Sequence, residues 1–195
     1  MTRILPGVIA MAIVVVASNY LVQEQFLIFN GLLTWGAFTY PLAFLVTDIM
    51  NRVYGARPAR QVIFFGVIVG IICSFLFPDV AVRIAIGSAC AFTVAQLLDV
   101  KIFNTINRQT WWKAPLFSTI ISSIVDSVIF FTIAFAPIFN AVSASATQQI
   151  GWAQADGYWI TLAVADWGVK IGIALIALVP FRMIVALYMP RKSDI

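Results

Sequence analysis

PLFSTIISSIVDSVIFFTIAFAPIF, residues 115–139, is an apolar run long enough to cross a bilayer, with a carboxylate near its middle. Thr119, Ser122, Ser123 and Asp126 recur in it at i, i+3, i+4 and i+7, which puts all four on one face of a helix. An ionisable group at bilayer depth is costly to expose to lipid, so this stripe is expected to face a bundle interior or a water-filled cavity. The bland alternative is a structural acid paired to a neighbouring helix.

The rest of the chain has the same character. Of 195 residues, 62% are hydrophobic and 10% charged, whereas soluble domains carry about a quarter charged residues. Long apolar runs separated by short polar breaks predict an all-α, polytopic membrane bundle forming one domain over residues 1–195. A membrane β-barrel would instead show alternating segments of about ten residues. Six spans are predicted, at about 4–21, 26–49, 61–77, 80–103, 115–139 and 158–187. The first is read as a retained span, since no small-residue cleavage pattern follows it. Pro180 is expected to kink or end the membrane portion of the last.

Charge sets the orientation. Arg3, Arg52, Arg57, Arg60, Lys101, Arg108, Lys113, Arg182, Arg191 and Lys192 fall on one side of the predicted spans. Glu24, Asp79 and Asp156 fall on the other, with Arg83 the one basic residue there. The positive-inside rule then puts both termini in the cytoplasm. The net charge of +4 is spread over short loops and does not suggest nucleic acid as a partner. Cys73 and Cys90 lack metal-ligand spacing and His is absent, so no metal or cofactor is expected. The polar loop from Asn140 to Gly157 reads equally as a lid or a connector. Gly66 and Gly70, and Ala81, Ala85 and Ala89, read as helix-packing positions.

Asp166 and Lys170 stand one turn apart in the last span, acid first, the favourable order for an ion pair. Two charges cost roughly 5–7 kcal/mol at mid-span, against roughly −3 to −6 kcal/mol from about ten Leu, Ile and Val residues. Insertion is therefore marginal without partners, and Asp126 is the expected third member. In the fourth span Thr93, Gln96 and Asn104 share a side, with Asp99 near the cytoplasmic end. At the end of the second span, Asp48, Asn51 and Arg52 share a helical side before Gly55, a natural helix stop. Physics alone reads this last group as a helix end at the lipid headgroups.

That same stretch, PLAFLVTDIMNRVYG (41–55), resembles the signature of the bacterial queuosine-precursor transporter family, also called the vitamin uptake transporter family. QLLDVKIFN (96–104), Trp111-Trp112 ahead of Pro115, VDSVIF (125–130) and Lys170 match further motifs in order. Arg52 departs from the pattern, standing where many members have Glu. The resemblance implies a six-helix importer of the bacterial inner membrane. It also implies a small-molecule 7-deazapurine substrate such as 7-cyano-7-deazaguanine. The substrate-binding candidates are then Asp126, Asp166, Lys170, Gln96, Ser122, Asp48 and Asn51. A carboxylate accepts both donors of a guanine-like edge, N1–H and the 2-amino group, and Asp126 is the first choice for that contact. Gln96 would pair with the ring carbonyl or pyrrole N–H, Lys170 would hold the acids in register, and Trp152 or Phe130 would stack on the ring.

Competing readings remain open at this stage. One is a substrate-binding subunit of an ATP-driven uptake system, with an energising partner or a homo-oligomer as the working form. Another is an intramembrane aspartyl enzyme using Asp126 and Asp166. The last is a purely structural membrane protein. The lack of His argues against serine-type and metal-dependent intramembrane proteases, and an enzyme is not expected.

Overall fold

Where the second span was expected to run unbroken, the chain turns at Tyr40-Pro41. The computed structural model describes residues 4–21, 25–26, 33–76, 82–106, 110–142 and 155–188. Helix α1 (Leu5–Leu21) is followed by a two-residue hairpin in which Gln25 pairs with Thr34 and Phe26 with Leu33. A five-residue helix α2 (Trp35–Thr39) then gives way to α3 (Leu42–Tyr54). Proline has no N–H for the preceding turn and its ring crowds the carbonyl four residues back, so the helix restarts at this point. The expectation of one continuous helix from Phe26 to Ile49 is therefore corrected to a hairpin and a broken helix.

Gly55 ends α3 as expected, with φ 91° and ψ 176° and its N–H bonded to the Asn51 carbonyl. Helix α4 (Ala56–Leu76) begins at once, earlier than the apolar run, because Arg57, Pro58 and Arg60 belong to its first turns. Pro58 is tolerated there, where an N–H would lack an intrahelical partner anyway. Helices α5 (Val82–Thr105), α6 (Lys113–Phe135) and α7 (Tyr158–Tyr188) follow close to the predicted spans. Helix α7 continues through Pro180 rather than ending at it. Helices α4, α5, α6 and α7 are long and apolar enough to cross a membrane, and α1 is a shorter apolar helix. The loop considered as a lid falls largely on residues 143–154, outside the described residues, as do Glu24, Asp79 and Ala81.

The exterior is greasy, and a band of polar residues runs through the interior. Ile9, Ile13, Phe64, Ile68, Phe75, Val128, Val164 and Ile176 are exposed, whereas Thr47, Gln96, Asp99, Ser118, Ser122 and Ser123 are buried. A soluble protein shows the opposite pattern, and lipid is the solvent this surface suits. Apolar packing is confined to separate clusters, the largest uniting Met11, Val15, Met50, Val62, Ile63 and Phe92 from α1, α3, α4 and α5.

Helices α5 and α6 form the most extensive pair. Their backbones approach at Gly87, where a methyl group would lie 3.2 Å from the Phe130 carbonyl oxygen. Gly66 and Gly70 take the packing role read for them, since methyls there would meet Met11 and Val15 of α1 at 2.8 and 3.6 Å. Arg83 is buried in the first turn of α5 rather than standing in a polar loop. Its guanidinium donates to the Ile133 carbonyl at 3.1 Å, the Ala136 carbonyl at 2.8 Å and Asn140 Oδ1 at 2.9 Å. It thereby caps carbonyls that the end of α6 would otherwise leave without donors.

Candidate functional site

Helix α7 buries a narrow stripe, Leu162, Asp166, Lys170 and Ala174, each one turn after the last. This register delivers Lys170 to α6. Its ammonium lies 2.6 Å from Asp126 Oδ2, 2.5 Å from Asp166 Oδ2 and 3.0 Å from Ser127 Oγ. Ser127 donates to Asp166 at 2.7 Å. The break at Pro41 brings Tyr40 to the same point, where its hydroxyl donates to Asp126 Oδ1 at 3.3 Å and its ring lies 5.7 Å from the Lys170 nitrogen. Asp126 and Lys170 are almost wholly removed from solvent. Two carboxylates against one ammonium leave this layer with one formal negative charge, spread over hydrogen bonds from two hydroxyls and a cation.

One turn back along α6 lies a second polar layer. It is built from i, i+3 pairs on three helices: Asp48 and Asn51 on α3, Gln96 and Asp99 on α5, and Thr119 and Ser122 on α6. Thr47 donates to Gln96 Oε1 at 2.6 Å, and Asn104 to Asn51 Oδ1 at 3.1 Å. Thr119 donates to Asp48 Oδ2 at 3.3 Å, and Ser122 to Asp99 Oδ1 at 3.1 Å. The Asp48 and Asp99 carboxyl groups are held in the same layer by Thr119 and Ser122, one turn apart on α6. Four buried atoms here have no protein partner: Asp48 Oδ1, Asp99 Oδ2, Asn51 Nδ2 and Gln96 Nε2. Buried polar groups are nearly always bonded, so four such atoms in one layer call for an explanation.

All seven residues singled out from the sequence are buried inside the bundle. Asp126, Asp166 and Lys170 meet as expected. The Thr119–Asp126 stripe, however, divides between two layers, with Thr119 and Ser122 serving Asp48 and Asp99 instead of Asp126. Asp48 and Asn51 do not lie at a headgroup surface; they are 3% and 0% exposed. Thr93 bonds only to the Ala89 carbonyl of its own helix at 2.7 Å. Phe130 belongs to an aromatic cluster with Phe131 and Phe135, and Trp152 lies outside the described residues. Tyr40, Ser127, Thr47 and Asp99 join the two layers without having been selected as site residues.

A recess reaches the second layer between α3, α6 and α7, lined by Pro41, Phe44, Asp48, Thr119, Ala174 and Phe181. Its volume is about 20 Å³, room for a water and not for a heterocycle. The water-filled cavity offered as one setting for the acidic stripe is thus, at this recess, no wider than a single water. Among the described residues, no three of His, Cys, Asp and Glu gather as a metal-ligand set.

Apolar outside, and held together inside by an ion-paired lysine and layered hydrogen bonds, the bundle is an integral membrane protein with a polar interior of the kind transporters use. The chain belongs to the vitamin uptake transporter family: the family model described as "Putative vitamin uptake transporter" matches residues 34–79 and 75–185. It is 30% identical to the "Queuosine precursor transporter" of Escherichia coli, over 93% of this chain and 86% of that one. It is 33% identical to the "Probable queuosine precursor transporter" of Haemophilus influenzae, over 92% and 84% of the two chains. A Bacillus subtilis protein with the same description is 24% identical over 84% of this chain and 76% of its own length. No solved structure matches the chain.

Proposed function

We propose that this protein imports queuosine precursors, 7-deazapurines such as 7-cyano-7-deazaguanine, across the bacterial inner membrane. The observation that carries the reading is chemical. The buried layers in the family-matched helices hold carboxylates beside amide donors, and several of these atoms lack a protein partner. A guanine-like ring presents the complement, with N1–H and 2-amino donors next to a carbonyl acceptor. Asp126 accepts the two donors while Lys170 stays bonded to Asp166. Gln96 and Asn51 donate to the ring carbonyl, and Asp48 and Ser122 line the inner end of the path. The named relatives from three bacteria support the same substrate class.

In this reading the chain crosses the membrane six times with both termini in the cytoplasm, the broken pair α2–α3 serving as the second crossing. The closed recess then requires α3 and α7 to separate before substrate passes. The test is growth of a strain that cannot make the precursor, supplied with nanomolar precursor and assayed for queuosine in tRNA. Expression of this chain restores the modification. Asp126→Asn abolishes it at normal membrane levels, and an unchanged yield with that variant removes Asp126 from the site. Uptake by the purified protein in liposomes excludes the need for an ATP-driven partner.

A further inference from the structure

The Lys170 layer has a cation for its acids; the Asp48–Asp99 layer has none. Neither carboxylate lies within ion-pairing distance of a Lys or Arg among the described residues. The charged groups around the pair are few. Arg52 is one turn further along α3 and only half-buried, and Arg57 and Arg60 of α4 and Lys101 of α5 are exposed. Helix α6 presents the hydroxyls of Thr119 and Ser122, and α7 presents Lys170, bonded to Asp126 and Asp166 one layer away. Two ionised carboxylates side by side in such a place repel each other with little screening, the circumstance in which a dyad keeps one proton.

The hydrogen bonds point the same way. Thr119 occupies Oδ2 of Asp48 and Ser122 occupies Oδ1 of Asp99, so each acid keeps one oxygen without a donor. Both orphaned oxygens are satisfied at once if one of them carries a hydrogen and donates it to the other. Asn51 Nδ2 and Gln96 Nε2, also without partners, belong to residues one turn from the two acids on the same helix faces. The recess that touches Asp48 and Thr119 has room for a water, which gives the proton an exit.

We infer that Asp48 and Asp99 form a proton-binding site, sharing one proton in the closed bundle and releasing it to water when the α3–α6–α7 recess opens. Release converts the acid–carboxylate pair and a water into two carboxylates and a hydronium ion. The pair then separates or takes hydrogen bonds from Asn51 and Gln96. Resting on the importer reading, this site links uptake to a proton gradient.

Infrared difference spectroscopy of the full chain in lipid nanodiscs, between neutral and alkaline pH, tests the shared proton without any substrate. The wild type shows a protonated-carboxyl band that disappears on alkalinisation, and Asp48→Asn and Asp99→Asn each lack it. Should an Asn variant fail to fold, Asp99→Glu keeps the acid and must displace the band. A wild type without the band, or a band undiminished in both Asn variants, overturns the site. In proteoliposomes, an imposed proton gradient speeds initial uptake of radiolabelled 7-cyano-7-deazaguanine several-fold in the wild type and not in Asp99→Asn. Wild-type uptake indifferent to the gradient overturns the link to transport. The band without any uptake refutes the importer reading and leaves the proton site standing, and uptake without the band does the reverse.

Discussion

Replacing Lys170 by Met leaves two buried acids without their shared cation. Asp126 keeps only the Tyr40 hydroxyl at 3.3 Å, and Asp166 only Ser127 at 2.7 Å. Breaking a buried ion pair by removing one partner costs about 3–5 kcal/mol. An independent bound agrees: holding one aspartic acid neutral at pH 7, from its ordinary range, costs about 4 kcal/mol. Lys170→Met is therefore expected to lose about 4 kcal/mol, measured by reversible unfolding of the full chain in mixed micelles. Adding Asp126→Asn and Asp166→Asn to it removes the uncompensated charge, and this triple variant is expected to recover most of the loss, because neutral replacement of a buried ion network is often nearly free. A single variant within about 1 kcal/mol of wild type, or a triple variant no more stable than the single, refutes the reasoning.

Arg83→Gln removes most of the donors that cap α6 and is expected to cost about 2–4 kcal/mol in the same assay, since several buried acceptors lose a charged partner; a neutral result would show that the cap is dispensable. Gly87→Val places carbon atoms against the Phe130 carbonyl at a close α5–α6 approach and should cost about 1–3 kcal/mol. Unchanged stability there would mean that the helices slide apart freely. Gly55→Ala must hold a side chain at φ 91° and ψ 176°, a region nearly reserved for glycine, and should cost about 1–3 kcal/mol. A wild-type melting curve for that variant would mean that the α3–α4 turn adapts its backbone.

The inward-facing acids were legible in the sequence because hydrocarbon gives a charge no alternative. Asp126, Asp166 and Lys170 could only turn toward one another or toward water, and their spacing allowed the first. The small-residue pair Gly66 and Gly70 was legible for the same kind of local reason. What the sequence hid depends on other helices. The hydropathy of residues 26–49 runs on through Pro41, so the span reads as one helix although the proline itself marks the break that positions Tyr40. Arg83 reads as a lone loop charge until the carbonyls of Ile133 and Ala136 are placed beside it. The stripe from Thr119 to Asp126 has one periodicity but two sets of partners, and only the positions of α3 and α5 reveal the division. Asp48 and Asn51 near a helix end look like headgroup residues, yet α5 and α6 close over them.

Along α7, the buried stripe from Leu162 to Ala174 is one residue wide, and most of the rest of the 31-residue rod is apolar. Leucine and isoleucine pack about as well against acyl chains as against a neighbouring helix, so oil alone sets no preferred rotation for such a rod. The angular setting of α7 is fixed mid-helix by polar contacts with α6, Lys170 with Asp126 and Ser127 and Asp166 with Ser127. Towards its ends it is fixed by Leu162 in the cluster of Phe131, Ala134 and Phe135 and by Phe181 in that of Phe103 and Ala114. Turning α7 about its long axis would carry Asp166 and Lys170 toward acyl chains, so any motion that parts α7 from the bundle has to keep those two groups bonded to each other or to water.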